Sequence, residues 1–575
     1  MLTTALSFLS LLPAPPQQLD DSFARLRERA ERSVELGSVD SYSVGAGAGN
    51  RLFRMIGGDN AECVRAIPDI NGDGLDEIVV GIGQTGTDNV FCLDGASAGT
   101  ASVVWSLQTA DGVSGGSCYG DQSIVAVSDT ENSGTPNFLL GTAWGGRTAY
   151  NFDSSLGAAV LKFDTYLDVA SGWVYSLCEI ADVTGDGVPE YAFGAGSDND
   201  SVYLLDGASA GPQASVLWKY SAGDAVYSVR NLGDVNNDGT DDVLAAIGDN
   251  IDRIVCLEGD GAFAGGTVLW SYAPGTSVFA CGVLSDVTAD GVDEALAVLW
   301  TSGGSAIRCL DGSDGTVAWT SSAVSSFAMQ AHELEDVTGD GLNEVIVSSW
   351  ENAVIVLDGS DGSLVWKTSV GTINGGDVWT AGPIDDLNGD GRQDVIAGSF
   401  DYHVYALDGD TGEVFWAFNT GNRVFSVAAV GDLNGDGRPE VVAGTQDTNS
   451  NVVVHVLEGD ANIPFPGVAF RGDGVLGGPY ALEVTGPAGA AAFPFFSSAT
   501  ATTMVPGIAG TLGLALPLTF LPSGTIPPVG AFELTGTLPV NPALAGMTRY
   551  LQGAVFTFPP IAGEFTANVE AVTLQ

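Results

Sequence analysis

Short apolar runs rich in β-branched and aromatic residues alternate along most of this chain with stretches of Gly, Asp and Asn. One unit shows the pattern in full, with apolar runs at 226–232, 243–247, 253–257 and 267–272. Runs of this length, separated by turn residues, predict short antiparallel β-strands. The unit therefore predicts four strands in about 50 residues, which is typical of one blade of a β-propeller.

A polar nine-residue loop, D-x-[N/T]-x-D-G-x-x-[D/E], separates the first two strands of each unit. It begins with Asp69–Glu77 and ends with Asp432–Glu440, and successive copies lie 46 to 60 residues apart. The loops open at Asp69, Asp129, Asp182, Asp234, Asp286, Asp336, Asp386 and Asp432. A regular period in this range indicates a repeat architecture rather than independent domains. The sequence thus predicts an all-β fold, an eight-bladed propeller over residues 50–462.

The loop has the chemistry of a site for a hard cation. Oxygen-bearing side chains at positions 1, 3, 5 and 9 can converge on an ion while glycine at position 6 permits the sharp turn, and this arrangement suits Ca²⁺ better than Mg²⁺ or Zn²⁺. The predicted ligands are Asp69, Asn71, Asp73, Glu77, Asp129, Glu131, Asp182, Thr184, Asp186, Glu190, Asp234, Asn236, Asp238, Asp242, Asp286, Thr288, Asp290, Glu294, Asp336, Thr338, Asp340, Glu344, Asp386, Asn388, Asp390, Asp394, Asp432, Asn434, Asp436 and Glu440. Up to eight calcium ions are expected. The loop at Asp129 is the doubtful one, because Ser133 and Asn137 replace its acids at positions 5 and 9.

The fourth strand of most units ends in a tryptophan that follows a Leu-Asp-Gly or Leu-Glu-Gly turn. These residues are Trp105, Trp218, Trp270, Trp319, Trp366 and Trp416, and Lys162 takes the place in the second unit. The last unit lacks a fourth strand, but Phe53 lies 16 residues before Asp69, as Trp416 lies 16 before Asp432. Residues near 50–57 are therefore expected to complete the last blade and close the ring, which removes exposed sheet edges.

Two families carry these motifs. The loops resemble those of FG-GAP and VCBS repeats in integrin-α-like propellers, and Ala406–Trp416 (ALDGDTGEVFW) is similar to the tryptophan-docking repeat of PQQ-like propellers. The first resemblance implies calcium between the first two strands of a blade, and the second implies a structural wedge between blades. A quinoprotein dehydrogenase is the least favoured reading, since no Cys-Cys pair occurs.

Charge and termini suggest an exported protein. The formal net charge is −52, from 71 acidic and 19 basic residues, so nucleic acid is not an expected partner. Residues 1–20 contain an apolar run followed by a Pro-rich stretch and predict a signal peptide, and 21–49 predict a helix or linker. No later run is long enough to span a membrane. We therefore predict an extracellular or cell-surface monomer, with the periplasm as an alternative.

Five tryptophans outside the docking positions are candidate ligand-binding residues. Trp144, Trp300 and Trp350 end second strands, while Trp173 and Trp379 precede first strands, so all should lie on the rim opposite the loops. Such a rim could bind sugar rings or peptide. The competing interpretation is that neighbouring loops bury these side chains.

The sequence predicts a non-enzymatic binding or adhesion module for glycan or an extracellular protein. His332, His403 and His455 fall in strands of different blades and are expected to be structural. The alternative is a calcium-dependent polysaccharide lyase resembling rhamnogalacturonan lyases, with Arg230, Arg253 and Arg308 in the corresponding region. Residues 463–575 are nearly uncharged and rich in Gly, Pro, Ala and Thr, and predict a small β-sandwich.

Overall fold

A computed structural model provides the coordinates of the chain. It describes residues 51–83, 88–109, 122–143, 147–168, 172–196, 199–248, 250–260, 266–301, 306–370, 376–420, 422–447, 452–459, 468–471, 476–485, 491–503, 508–509, 512–525, 531–557, 562–565 and 570–574. The predicted signal peptide, the 21–49 segment and Trp144 lie outside these residues.

Eight antiparallel sheets, here blades 1 to 8, follow one another along residues 51–457. Each has four consecutive strands, A to D, except that the D strand of blade 8 comes from the start of the described chain. In blades 1 to 4 the strands A to D are Ala61–Ile67, Glu77–Ile82, Val90–Leu93 and Val103–Leu107; Ile124–Val127, Asn137–Gly141, Thr148–Asp153 and Ala158–Asp164; Trp173–Ile180, Glu190–Gly196, Ser201–Asp206 and Ser215–Ser221; and Val226–Gly233, Asp242–Ile247, Arg253–Leu257 and Val268–Tyr272.

In blades 5 to 8 they are Val278–Leu284, Glu294–Leu299, Ile307–Leu310 and Val317–Thr320; Ala328–Leu334, Glu344–Ser349, Ala353–Leu357 and Leu364–Ser369; Val378–Ile384, Asp394–Ser399, His403–Leu407 and Val414–Asn419; and Val424–Val430, Glu440–Thr445, Val452–Leu457 and Arg51–Ile56. The all-β propeller predicted from the repeat is confirmed.

The A strands surround a central channel. Each contacts the A strands of both neighbouring blades, including those of blades 8 and 1, so the ring is closed. Closure depends on Arg51–Ile56, which pairs antiparallel with Val452–Leu457 and places Arg54 opposite His455. The predicted closing strand is therefore confirmed, and Phe53 at its centre is fully buried.

The six predicted docking tryptophans join one blade to the next. Each indole N–H donates to a backbone carbonyl one or two residues after strand C of the following blade, at 2.6 to 3.4 Å. Trp270, for example, donates to Gly312 O at 2.6 Å. A Cβ on Gly312 would lie 1.9 Å from the carbonyl oxygen of Asp293, and one on Gly315 would lie 2.5 Å from the Trp270 ring, so the turn requires both glycines.

Blades 2 and 8 lack a docking tryptophan and are joined to the next blade by backbone pairing. Lys162 N–H donates to Pro212 O at 2.8 Å, and Lys162 O accepts from Ala214 N at 2.9 Å. Arg54 O likewise accepts from Ala101 N at 2.7 Å, beside the short strand Gly99–Thr100. The two paired segments follow identical D-G-A-S-A-G turns, at 94–99 and 206–211.

The C-terminal part is also built of β-strands. A three-stranded sheet contains Val468–Arg471, Pro479–Thr485 and Ala531–Thr537, and a larger sheet is centred on Ala491–Ser497 and Thr548–Thr557. The remaining short strands are Thr500–Thr503, Ile508–Ala509, Leu512–Leu514, Thr519–Phe520, Gly524–Thr525, Ala562–Phe565 and Glu570–Thr573. Apolar side chains of both sheets form one buried cluster, as in a β-sandwich.

Candidate functional site

The eight polar loops join strands A and B on one rim of the propeller, here called the loop rim. In every loop the position 1 aspartate accepts the N–H of the position 6 glycine, at 2.6 to 2.8 Å. These glycines have φ of 87° to 96°, which favours Gly. Such amide hydrogen bonds hold the pKa of Asp69, Asp129 and Asp182 below the ordinary value. The backbone amides of each loop thus converge on the position 1 carboxylate.

The position 9 acid is the buried member of the loop. In seven loops it is the first residue of strand B, is at most 1% exposed, and accepts the N–H of position 2 at 2.6 to 3.1 Å. These acids are Glu77, Glu190, Asp242, Glu294, Glu344, Asp394 and Glu440. Burial raises the pKa of Glu77, Glu190, Asp242, Glu294 and Asp394 to about 7 and that of Glu440 to about 9. A nearby cation would favour the charged form instead.

Two observations show that the loops suit a metal ion. First, the carboxylate oxygens of positions 1, 5 and 9 lie within 4.8 Å of one another in three loops, those of Glu77, Glu344 and Glu440. Second, Glu190 Oε1 and Glu294 Oε2 are buried without a hydrogen-bond donor among the described residues. A buried carboxylate oxygen normally has a partner, so a cation is the group that these oxygens fit.

Two loops have Asp rather than Glu at position 9, and this acid makes an additional hydrogen bond to the C–D turn. Asp242 accepts the N–H of Gly259 at 3.0 Å, and Asp394 accepts that of Gly409 at 3.0 Å. Both glycines belong to the C–D turns whose carbonyls accept from Trp218 and Trp366. In blades 4 and 7 the shorter acid therefore links the loop directly to the docking turn.

The loop at Asp129 differs in the way that the sequence suggested. Asn137 at position 9 donates through Nδ2 to Thr130 Oγ1, Glu131 Oε2 and Asn151 Oδ1, at 2.9 to 3.0 Å. An amide donor thus stands where the other loops have an acid, and it occupies an oxygen of the predicted ligand Glu131. That this site binds calcium weakly or not at all stays a prediction.

The opposite rim carries a continuous series of aromatic side chains, here called the aromatic arc. Ring centroids lie 4.3 to 6.3 Å apart at each step, within the range of favourable ring contacts. In order, the arc runs from blade 3 to blade 8 through Trp173, Tyr175, Tyr227, Phe279, Trp300, Phe327, Trp350, Trp379, Phe400 and Phe425.

The four described candidate tryptophans all belong to the arc, and each is partly exposed. Trp300 and Trp350 directly follow B strands, as expected. Trp173 and Trp379 lie inside A strands rather than before them, which corrects the predicted position. The indole Nε1 of Trp350 is buried and has no acceptor among the described residues. These tryptophans are therefore neither fully exposed nor fully buried by the neighbouring loops.

Sequence reasoning missed about half of the arc. Tyr175, Tyr227, Phe279 and Phe425 are 4 to 6% exposed and support the outer rings from below. A signal for them exists in the repeat, because each stands seven residues before its loop aspartate, as Trp379 does.

The charged groups beside the arc are mostly acidic. Arg423 lies over the Phe400 ring, with its guanidinium carbon 4.9 Å from the centroid. The positive charge of Arg423 acts to lower the pKa of Asp377. Burial has the larger effect and raises that pKa above its ordinary value. Described acids in the connections of this rim are Asp59, Asp88, Asp168, Asp200, Asp224, Asp252, Glu351, Asp377, Asp401 and Asp447, and the described bases are Arg147 and Arg423. The electrostatic character of this rim disfavours polyanions.

His403, His455, Arg230 and Arg308 belong to four different blades. His403 is buried beside Asp401, and His455 lies 3.4 Å from Arg51. Arg230 donates to Ser228 Oγ and Val229 O within its own strand, and Arg308 donates to Tyr272.

The described cysteines are buried free thiols. None of the described helices is long and apolar enough to cross a membrane.

Comparisons with known proteins identify a propeller. Residues 344–456 match the family model of the λ-carrageenase β-propeller domain. Sqt1 of Saccharomyces cerevisiae has a similar structure, with 11% identity and a TM-score of 0.51 over 71% of this chain and 99% of its own. BamB from Moraxella catarrhalis has 16% identity and a TM-score of 0.43, over 70% and 98%. No curated protein sequence matches the chain.

Proposed function

We propose that this protein is an exported, calcium-stabilised propeller that binds an uncharged glycan on its aromatic arc without cleaving it. The observation that carries the proposal is the arc itself. Its outer rings are partly exposed on one rim, and deeper rings hold them in place. Rigid aromatic side chains give a large contact area at a small entropic cost, which suits the flat faces of sugar rings.

The loop rim supports the calcium part of the proposal. Seven loops combine carboxylate, amide or hydroxyl oxygens at positions 1, 3 and 5 with a buried acid at position 9. An all-oxygen donor set favours Ca²⁺. Calcium bound there would neutralise the buried acids. The ion is thus proposed as a folding cofactor on the rim opposite the ligand, with no direct part in ligand binding.

Charge and hydrogen bonding support an uncharged glycan. The acids beside the arc would repel sulfate and uronate groups, whereas the hydroxyl groups of an uncharged sugar carry no charge to be repelled and can hydrogen-bond to these acids. The match of residues 344–456 to a λ-carrageenase propeller also favours a polysaccharide context. It keeps a polysaccharide-degrading role, such as the lyase considered above, as the second candidate.

Export follows from the predicted leader and from the need for calcium at extracellular concentrations. Binding at the cell surface would then serve adhesion or retention of glycan. An extracellular protein is the other class of partner that an aromatic rim could hold.

A binding assay with the full-length protein tests the proposal. The calcium-loaded chain is incubated with agarose, laminarin, xylan, mannan, amylose and a sulfated carrageenan, and both retention and the release of reducing or unsaturated sugars are measured. We expect retention on at least one uncharged polysaccharide and no released sugar. Trp300→Ala combined with Trp350→Ala should weaken retention at least tenfold, since each lost ring contact is worth on the order of 1 kcal/mol.

Tyr166→Ala is the matched control, because Tyr166 is 57% exposed but lies outside the arc. Released sugars would establish the enzymatic alternative. Retention on none of the polysaccharides would overturn the glycan proposal and direct the search to protein partners.

A further inference from the structure

The central channel contains a pocket next to the aromatic arc. It is a partly open pocket of about 160 Å³ between the A strands of blades 1, 6, 7 and 8. The pocket exists because blades 7 and 8 place Gly382 and Ala428 at the level where blades 1 and 6 carry Arg65 and His332. At roughly 30 Å³ per water, this volume equals about five waters, which is space for one sugar residue rather than an oligosaccharide.

The polar groups of the pocket both donate and accept hydrogen bonds. Glu62, Arg65, Gln330, Thr380 and Ser426 line it. The carboxamide oxygen Oε1 of Gln330 is buried and has no donor among the described residues. A hydroxyl group of a ligand can supply the missing donor, whereas an inorganic anion cannot. Glu62 and Arg65 carry opposite charges, so the pocket has no excess positive charge that would select an anion.

The pocket and the aromatic arc share one side chain. Phe425 lines the pocket, and its ring lies 5.9 Å from that of Phe400, edge to face. A glycan lying on the arc could thus reach the channel without leaving aromatic contact.

We infer that the channel pocket binds the terminal residue of the glycan, so that the protein recognises a chain end while the adjoining residues lie on the arc. This inference rests on the proposed function, because it specifies the ligand of the same site. The sugar's hydroxyl groups bond to Gln330, Thr380 and the neighbouring charged side chains, and one face of its ring contacts Phe425.

Gly382 offers a direct way to fill the pocket. Its φ is not positive, and a Cβ built on it meets no atom within 4 Å. Gly382→Val therefore adds volume in open space of a β-strand, where a β-branched residue is favourable. Gly58→Val is the matched control, because Gly58 is equally open and lies outside the pocket. Gln330→Leu removes the unpaired acceptor at nearly constant volume.

The test measures binding of D-glucose, D-galactose, D-mannose and D-xylose to the full-length protein by saturation-transfer NMR. We expect at least one sugar to bind in the millimolar range, and to raise Tm by about 1–2 °C when in tenfold to hundredfold excess over Kd. Gly382→Val and Gln330→Leu should each weaken this binding at least tenfold. Gly58→Val should not.

Chain-end recognition has its own readout. At equal mass, a partly acid-hydrolysed sample of the retained polysaccharide should compete better than the intact one, because it has more ends. Suppose that polysaccharide is retained, and that neither hydrolysis of the competitor nor Gly382→Val nor Gln330→Leu changes this retention. That result would overturn this inference and leave the proposed function standing. Monosaccharide binding without polysaccharide retention would overturn the proposed function and support only the pocket. Binding of none of the four sugars would overturn the pocket.

Discussion

The two rims of this propeller use tryptophan side chains for different purposes. On the loop rim, acids and docking tryptophans are buried and hydrogen-bonded to backbone: Glu440 is 0% exposed, and Trp270 is 7% exposed and donates to Gly312. On the aromatic rim, Trp300 and Trp350 are partly exposed, and the Trp350 N–H has no acceptor among the described residues. The same residue type thus stabilises the ring on one rim and is available to a ligand on the other.

Removal of calcium should have the largest effect, and only through the loop rim. If each of seven sites binds with Kd near 0.1 mM, millimolar calcium stabilises by roughly 1.4 kcal/mol per site, or about 10 kcal/mol in all. EDTA should therefore lower Tm by about 10 °C in a scanning calorimetry experiment. Readdition of Ca²⁺, but not of Mg²⁺ at the same concentration, should restore it. An unchanged Tm would contradict structural calcium.

Tryptophan-to-alanine substitutions compare the two rims directly. Trp270→Ala removes a buried ring and its hydrogen bond to Gly312, and should cost about 3–5 kcal/mol of unfolding free energy. Trp350→Ala removes a partly exposed ring and should cost about 1 kcal/mol. Denaturant unfolding measures both values.

Glycan retention, measured well below Tm, should show the reverse order for the same two variants. Trp270→Ala should retain the ligand, while Trp350→Ala should lose most of the affinity. Equal losses of stability would remove the proposed distinction between the rims.

A smaller contrast is expected within the loop rim. Asp234→Ala with Asp238→Ala removes two ligands from a complete loop and should abolish one calcium site, at roughly 1.4 kcal/mol in millimolar calcium. Asp129→Ala should change calcium stoichiometry little, because Asn137 already donates into that loop. Isothermal titration with Ca²⁺ counts the sites, and the loss of one full site in Asp129→Ala would show that the second loop binds normally.

Sequence reasoning predicted the loop rim better than the aromatic rim for a physical reason. The loops and the docking turns are local: the D-x-x-x-D-G pattern closes on its own backbone, and each tryptophan contacts the turn at the same place in the next unit. The repeat period is therefore enough to predict the positions of the loops and the docking turns. The closing strand Arg51–Ile56 was predictable because Phe53 keeps the spacing of the docking residues.

The aromatic arc instead combines residues from two kinds of connection, B–C connections within a blade and D–A connections between blades, and these differ in length. Trp173 and Phe327 come from D–A connections or the strand start after them, whereas Trp300 and Phe400 come from B–C connections. Only the closed ring brings them into one series. The backbone-paired joints were missed for a related reason, since the repeated D-G-A-S-A-G turn gives no hint of its partner until Lys162 and Arg54 are placed beside it.

The smallest expected effect concerns strain on the aromatic rim. Tyr402, beside Phe400 of the arc, has φ of +79°, a left-handed conformation that is costly for a bulky side chain. Its backbone carbonyl accepts from Thr420 N and Oγ1, which fixes the turn. Tyr402→Gly should therefore raise the unfolding free energy by about 1 kcal/mol.

Asn352→Gly is the matched control for Tyr402→Gly, because Asn352 occupies the corresponding turn of blade 6 with φ of +58°. Asn tolerates this region far better than Tyr, so its replacement should change stability by only a few tenths of a kcal/mol. Denaturant unfolding of the two variants separates them. If Tyr402→Gly is more stable but binds glycan less tightly, the strained backbone at Tyr402 serves to present its ring to the ligand. If both variants change the unfolding free energy equally, the positive φ at Tyr402 does not destabilise the protein.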